Sequence, residues 1–158
     1  MYPINSEDDN LAEVAEDLGS RLRRFNEAAA GPLRTHHVAL TVRDHTGLVV
    51  AGLTGETFWN AMHVHLLWVD EGYRGLGYGT LLLRRTEALA IQRSCGLAYL
   101  STFDFQAPAF YVRHGYSVFG ELRDVPAGSG RQWLCKSLGA AASDAQGGRS
   151  HGSDRQFR

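Results

Sequence analysis

The run of glycines from Gly72 to Gly79 is the tightest constraint on this chain. It lies between an apolar stretch, Met62 to Val69, and a segment whose apolar residues recur at helical spacing. Where a strand passes through glycines into a helix, the amides of the helix's first turn point outward unpaired, at the positive end of the dipole. Glycine at Gly75, Gly77 and Gly79 lets an anion approach the backbone without meeting a Cβ, and Arg74 adds a cation beside it. The segment therefore reads as a phosphate-holding loop, with a flexible turn and an eased helix start as the plainer alternative. No Gly-Lys-Ser/Thr ends the loop, so a P-loop NTPase would lack its lysine and its magnesium hydroxyl. The glycines run G-x-G-x-G and the preceding strands read as hairpin-linked, which argues against a Rossmann unit.

Around this loop the chain alternates between two periods. Asn10 with Glu13 has the spacing of a capping box, and Leu11, Val14, Leu18, Leu22 and Phe25 then line one helical face until Gly31-Pro32 ends it. Val38, Leu40 and Val42 alternate within a strand from Thr35 to Arg43. Asp44-His45-Thr46-Gly47 turns the chain into a second strand, Leu48 to Leu53. A third is expected to begin at Thr57 to Trp59, and a fourth covers Met62 to Val69. After the loop, Leu82, Thr86, Leu89 and Ala90 share a helical face, with Gly96 expected as its left-handed cap. Leu97 to Phe103 is a further strand, Gln106 to His114 a short helix with Pro108 in its first turn, and Tyr116 to Leu122 with Gln132 to Leu138 a closing pair. Residues 1–138 form one domain, and 139–158 have little to bury and are expected to be a disordered tail. The order of elements predicts a mixed α/β (α+β) domain around one sheet.

A formal net charge of -1 gives no whole-protein attraction to nucleic acid or to an anionic membrane, so charged partners must be recognised locally. The N-terminus has no apolar run, and no segment reaches the roughly 18 apolar residues of a membrane span. Cys95 and Cys135 stand far from any paired spacing, so both read as ordinary buried thiols of a reduced, cytoplasmic compartment.

Two segments in order carry a resemblance. Val69-Asp70-Glu71-Gly72-Tyr73-Arg74-Gly75-Leu76-Gly77-Tyr78-Gly79 resembles the Arg/Gln-x-x-Gly-x-Gly/Ala signature of the GNAT superfamily of N-acetyltransferases. Downstream, Ala109-Phe110-Tyr111-Val112-Arg113-His114-Gly115-Tyr116 resembles that family's Phe/Leu-Tyr-x-x-x-Gly-Phe/Tyr segment. The likeness covers about Val38 to Leu138. It implies a mostly antiparallel sheet of about six to seven strands, flanked by helices and splayed between strands 4 and 5. Acetyl-CoA is then the co-substrate: Leu67, Trp68 and Val69 offer backbone to its pantetheine arm, and Arg74, Gly75, Leu76, Gly77, Tyr78, Gly79 and Thr80 hold its pyrophosphate. Asp104 and Phe110 stand on the cofactor side. At Asp104 the family commonly has asparagine, and a carboxylate cannot donate that hydrogen bond unless protonated. Asp104 instead meets a cationic acceptor or caps the following helix. A homodimer is common in the family.

Acetyl transfer to an amine requires removal of the amine's proton, stabilisation of the oxyanion and protonation of the leaving thiolate. By the resemblance, Tyr111 is the general acid; its alternative is a packing tyrosine among Phe103, Phe105, Phe110 and Tyr116. His63 and His65, two apart on one strand, point to one face and have the proton affinity of a base at neutral pH. Idle histidines at a polar strand end are the alternative, and Glu56, Asp70, Glu71 and Asp104 are rival bases. His-x-His alone lacks the third ligand of a metal centre, so no metal is expected. His36 and His37 face opposite sides of their strand and read as incidental. The expected activity is acetylation of a small-molecule primary amine by direct attack in a ternary complex. Its alternatives are a protein lysine or N-terminus as acceptor, and a non-catalytic acyl-CoA-binding module. The acceptor surface is expected from Leu22–Leu33, Gly55–Asn60 and Asp124–Gly130.

Overall fold

A computed structural model describes residues 2–139; the expected tail therefore lies, from residue 140 on, outside the described residues. Helix α1 (Leu11–Ala30) leads into β1 (His36–Arg43), β2 (Val49–Phe58) and β3 (Ala61–Val69). Then come α2 (Tyr78–Gln92), β4 (Leu97–Phe103), α3 (Pro108–Arg113), β5 (Ser117–Arg123) and β6 (Gly130–Ser137). The six strands form one sheet in the order β1-β2-β3-β4-β6-β5. All neighbours are antiparallel except β3 and β4.

That one parallel pair is short. It holds only for Ala61↔Leu97, Met62↔Ala98 and His63↔Tyr99, after which the strands part. Val64 and Leu66 to Val69 keep their partners on β2, and Leu100 to Phe103 keep theirs on β6. The expected splay is present, and it separates the same two segments.

A β-bulge lies just past the parting. Gly55 pairs with Val64 while the adjacent Thr54 pairs with Leu66, so His65 is the extra residue. The bulge switches which side chains face the core: Met62 and Val64 are buried before it, whereas Leu67 and Val69 pack on the core after it. Gly55 is required there, because a Cβ would press on the His63 carbonyl oxygen and stand 2.8 Å from the Met62 methyl.

Helix α2 lies across β1, β2 and β3, burying Leu82, Leu83, Thr86 and Ala90 against Val38, Leu53, Met62 and Val64. Arg93, just past its end, donates to the His36 carbonyl and the Thr57 hydroxyl, both at 3.2 Å.

Several boundaries differ from the expectation. Val49 to Phe58 is one continuous strand, so Thr57 and Phe58 close β2 and begin no third strand; Met62–Val69 lies in the third strand, and the described residues hold six. The β2–β3 hairpin turns on Trp59-Asn60, with Trp59 at φ 45 and its indole donating to the Gly31 carbonyl at 3.1 Å. Without glycine at the bend, the sequence carries no two-residue hairpin signal. Ser94, at φ 62, takes the left-handed position after α2 that was expected of Gly96. Asn10 makes no side-chain cap, so the capping box does not form. The periodic face of α1 exists, yet none of its residues is buried and Phe25 is 72% exposed. Cys95 is buried as expected, whereas Cys135 is only half-buried.

Leu100→Ala and Leu134→Ala, at fully buried positions, should each lower the unfolding free energy by about 2–5 kcal/mol in urea titrations. Leu18→Ala on the exposed face of α1 should cost well under that.

Candidate active site

The loop between β3 and α2 is fixed by backbone conformation. Asp70 accepts from the Gly72 amide at 3.0 Å, shaping a short turn over Glu71–Tyr73. Arg74 is extended, and its Nε donates to the Val69 carbonyl at 3.2 Å, which folds the side chain back onto the end of β3. Gly75 and Gly77 stand at φ 78 and φ 86, and Gly77 is the residue before the helix. A Cβ at either would meet open space, so positive φ, not crowding, calls for glycine here. Gly79 differs: it lies within α2, and a Cβ there would make ordinary contact with Phe110 at 3.5 Å.

No side chain caps α2. The first intrahelical bond runs from the Leu81 amide to the Gly77 carbonyl at 3.0 Å. The amides of Tyr78, Gly79 and Thr80 are thus left for an external acceptor, the arrangement that binds phosphate. The Thr80 hydroxyl is engaged. His114 Nδ1 faces the Phe110 carbonyl at 2.7 Å and so must donate, which leaves Nε2 to accept from Thr80 Oγ1 at 3.0 Å. His114 thereby ties the end of α3 to the first turn of α2, and its ring tilts over Phe110, 4.4 Å between centroids. Sequence reading gave His114 no role; its place in the second motif was the only signal.

Tyr111, on α3, is buried, its ring edge-on to Phe110 at 5.1 Å and Tyr116 at 5.9 Å. Burial pushes its phenol up to about 12, so it is a proton donor throughout the neutral range. Beneath it Tyr116 is also buried, and Glu87 takes Lys136 at 2.7 Å.

Along the other edge of the splay, Leu67, Trp68 and Val69 pair with Leu53, Gly52 and Ala51 of β2 and face no strand on the β4 side. Their backbone is open to an added strand-like ligand.

The face of the sheet opposite α2 carries His63 and His65, with ring centroids 4.5 Å apart. His63 stacks on Tyr99 at 4.4 Å and 5°. Phe58 stands edge-on to Tyr99 at 6.5 Å and to Trp59 at 6.1 Å, so the histidines sit in an aromatic row. Burial, reinforced by neighbouring His65, lowers the proton affinity of His63, which favours the neutral imidazole. Of the rival bases only Glu56 joins them, 3.5 Å from His65 on one oxygen and 3.5 Å from His37 on the other. His37 is therefore part of this row, while His36 contributes its carbonyl to Arg93. Asp70 is occupied by the Gly72 amide. Asp104 does not cap α3, whose preceding residue is Ala107 with no side-chain cap. Its carboxylate accepts from Gln132 at 3.1 Å and lies against Gly130, on the β6 side.

The acetyltransferase (GNAT) family model matches residues 4–116. The chain belongs to this family. It is 40% identical over 118 residues to blasticidin-S acetyltransferase of Streptomyces morookaense, covering 74% of this chain and 85% of that protein. It is 32% identical over 125 residues to an acetyltransferase of Agrobacterium fabrum, covering 79% and 91%. The crystal structure of an acetyltransferase from Bacillus cereus superposes with a TM-score of 0.79 at 30% identity, over 87% of this chain and 98% of that one. The chain is a GNAT-family acetyltransferase, and acetyl-CoA is the family's acyl donor. No helix among the described residues is long and apolar enough to cross a membrane.

Gly77→Ala forces a side chain into the left-handed region and should weaken CoA binding about tenfold by calorimetry, with ~1 kcal/mol of lost stability. Gly79→Ala meets only ordinary contact and should keep binding within about threefold, an ordinary margin for a surface change.

Proposed function

We propose that this protein transfers the acetyl group of acetyl-CoA directly to the primary amine of a small molecule, within a ternary complex. The observation that carries the proposal is the parting of β3 from β4 beside uncapped amides at the start of α2. Pantetheine would pair with the open edge at Leu67, Trp68 and Val69, and the pyrophosphate would take the amides of Tyr78, Gly79 and Thr80 with help from Arg74. Gly75 and Gly77 set the loop, Leu76 forms its tip, and Phe110 packs where α3 meets it. Asp104, turned toward Gln132, is left with an indirect part at most in holding the cofactor.

His63 is the proton acceptor in this proposal, directly or through water, with His65 beside it. Its burial keeps the imidazole neutral at a pH where a solvated one begins to charge. Tyr111, protonated at all working pH values, gives its proton to the departing thiolate. The oxyanion is stabilised by donors at the splay.

A small amine is favoured over a protein acceptor by the aromatic row of Phe58, Trp59 and Tyr99 beside Glu56, which suits a small organic cation. Blasticidin-S acetyltransferase, by its name, acts on a small molecule, and its similarity spans most of both chains. A cytoplasmic setting without nucleic-acid or membrane partners goes with this reading, as does the family's common homodimer. Release of free CoA from acetyl-CoA across a panel of small amines and lysine peptides tests the proposal. Turnover with small amines is expected; CoA binding without turnover of any amine would leave a binding module.

Two substitutions separate the roles. The depressed proton affinity of His63 places the acid limb of kcat/KM below the ordinary imidazole value of ~6.5. The rate should hold as pH falls to that value and drop beneath it, and His63→Gln should abolish the limb. An unchanged limb in that variant would remove His63 from the role of base. Tyr111→Phe should lower kcat about 100-fold or more with CoA affinity nearly intact. Because the phenol titrates only near about 12, the wild type should show no basic limb from Tyr111 up to pH 10.

A further inference from the structure

The sequence offers His63 and His65 as a pair with no third ligand at motif spacing. Strand pairing supplies one. Glu56 on β2 stands directly across from His63, and one ligand atom each from Glu56, His63 and His65 lies within 4.8 Å of the others. His65, two residues after His63, keeps its imidazole over the same face, 3.5 Å from a Glu56 oxygen.

We infer that Glu56, His63 and His65 form a site for a divalent transition-metal ion of the zinc, copper and nickel class, and that the bound ion reversibly inhibits acetyl transfer. Two imidazoles and one carboxylate are borderline ligands; they select these ions over magnesium and calcium, which prefer oxygen alone. Three protein ligands leave the fourth position to water. Tetrahedral ligands at ~2.0–2.1 Å from an ion stand ~3.3 Å apart, so atoms that lie within 4.8 Å of one another need to close by up to about 1.5 Å. His65 and Glu56 have the room to do so, since their side chains are 38% and 25% exposed. On β1, His37 approaches the second Glu56 oxygen at 3.5 Å, where it orients the carboxylate from outside.

Inhibition rests on the proposal that His63 accepts the amine's proton, because the ion takes the same lone pair; binding of the ion does not rest on it. Calorimetry with zinc chloride, on full-length protein without a histidine tag or CoA, reads binding alone. One ion per chain is expected. Glu56→Gln, His63→Gln and His65→Gln should each weaken association about tenfold or more, while His45→Gln, on the turn after β1, leaves it unchanged. Cobalt in place of zinc should give the visible absorption of a tetrahedral nitrogen and oxygen site, a readout that needs no variant to fold. Absence of zinc binding, or an isotherm unaltered by the three substitutions, overturns the site. Magnesium competing with zinc at equal concentration overturns the ion class. In a separate assay, zinc should suppress amine acetylation and a chelator should restore it. Zinc bound at these residues without loss of turnover overturns the inhibition. Zinc bound there in a protein that acetylates no amine upholds the site and refutes the transferase proposal.

Discussion

Everything distinctive about this fold depends on three residue pairs between β3 and β4 and the absence of a fourth. Parallel pairing at Ala61, Met62 and His63 holds the two halves of the sheet together. Beyond it, both strands keep partners only on their outer edges. Backbone amides and carbonyls in the middle of a sheet are normally all paired. Here the unpaired edges form a cleft inside the core-bearing layer, which presents hydrogen-bonding backbone at a depth that loops rarely reach.

The cleft is kept open from three sides. The bulge at His65 rotates β3 so that Leu67 and Val69 continue the core after Val64, which allows the strand to bend away without losing its packing. Helix α2 lies across β1, β2 and β3 and clamps one lip through Leu82, Leu83 and Ala90. His114 joins the opposite lip to the first turn of α2 through Phe110 and Thr80. The position of the Tyr111 phenol and that of the free amides are consequently coupled through one imidazole. The two parts of the proposed chemistry, holding the diphosphate and protonating the thiolate, share a single scaffold.

The face opposite α2 gathers polar and aromatic groups from four adjacent strands. His37, Glu56 and His63 occupy successive strands at matching register, with Tyr99 stacked beyond them on β4. Such a row costs little in stability, because these side chains remain partly in water. It provides what an apolar face cannot: groups that accept a proton, attract a cation or ligate an ion.

Much of this was legible in the sequence, for local reasons. The glycine loop, its helix and the second motif specify conformations fixed over a few residues, so Gly75, Gly77 and Tyr78 fell where expected. Strand β4 was read to the residue, since its alternation is uninterrupted from Leu97 to Phe103. Other features required the tertiary structure. The hairpin at Trp59-Asn60 lacks turn glycines and is held by an indole bond to Gly31, 28 positions away in the chain. Asp104 has the spacing of a cap but finds Gln132 on a neighbouring strand. The face of α1 has the period of a buried helix, yet period states only that a stripe is apolar, not what covers it. Glu56 joined His63 and His65 only through register across β2 and β3, which no spacing within one strand encodes. The sequence alone determined which segments are rigid, where glycine permits left-handed backbone, and the family. Tertiary structure decided which side chains meet, because strand pairing brings together residues whose separation along the chain carries no trace of their contact.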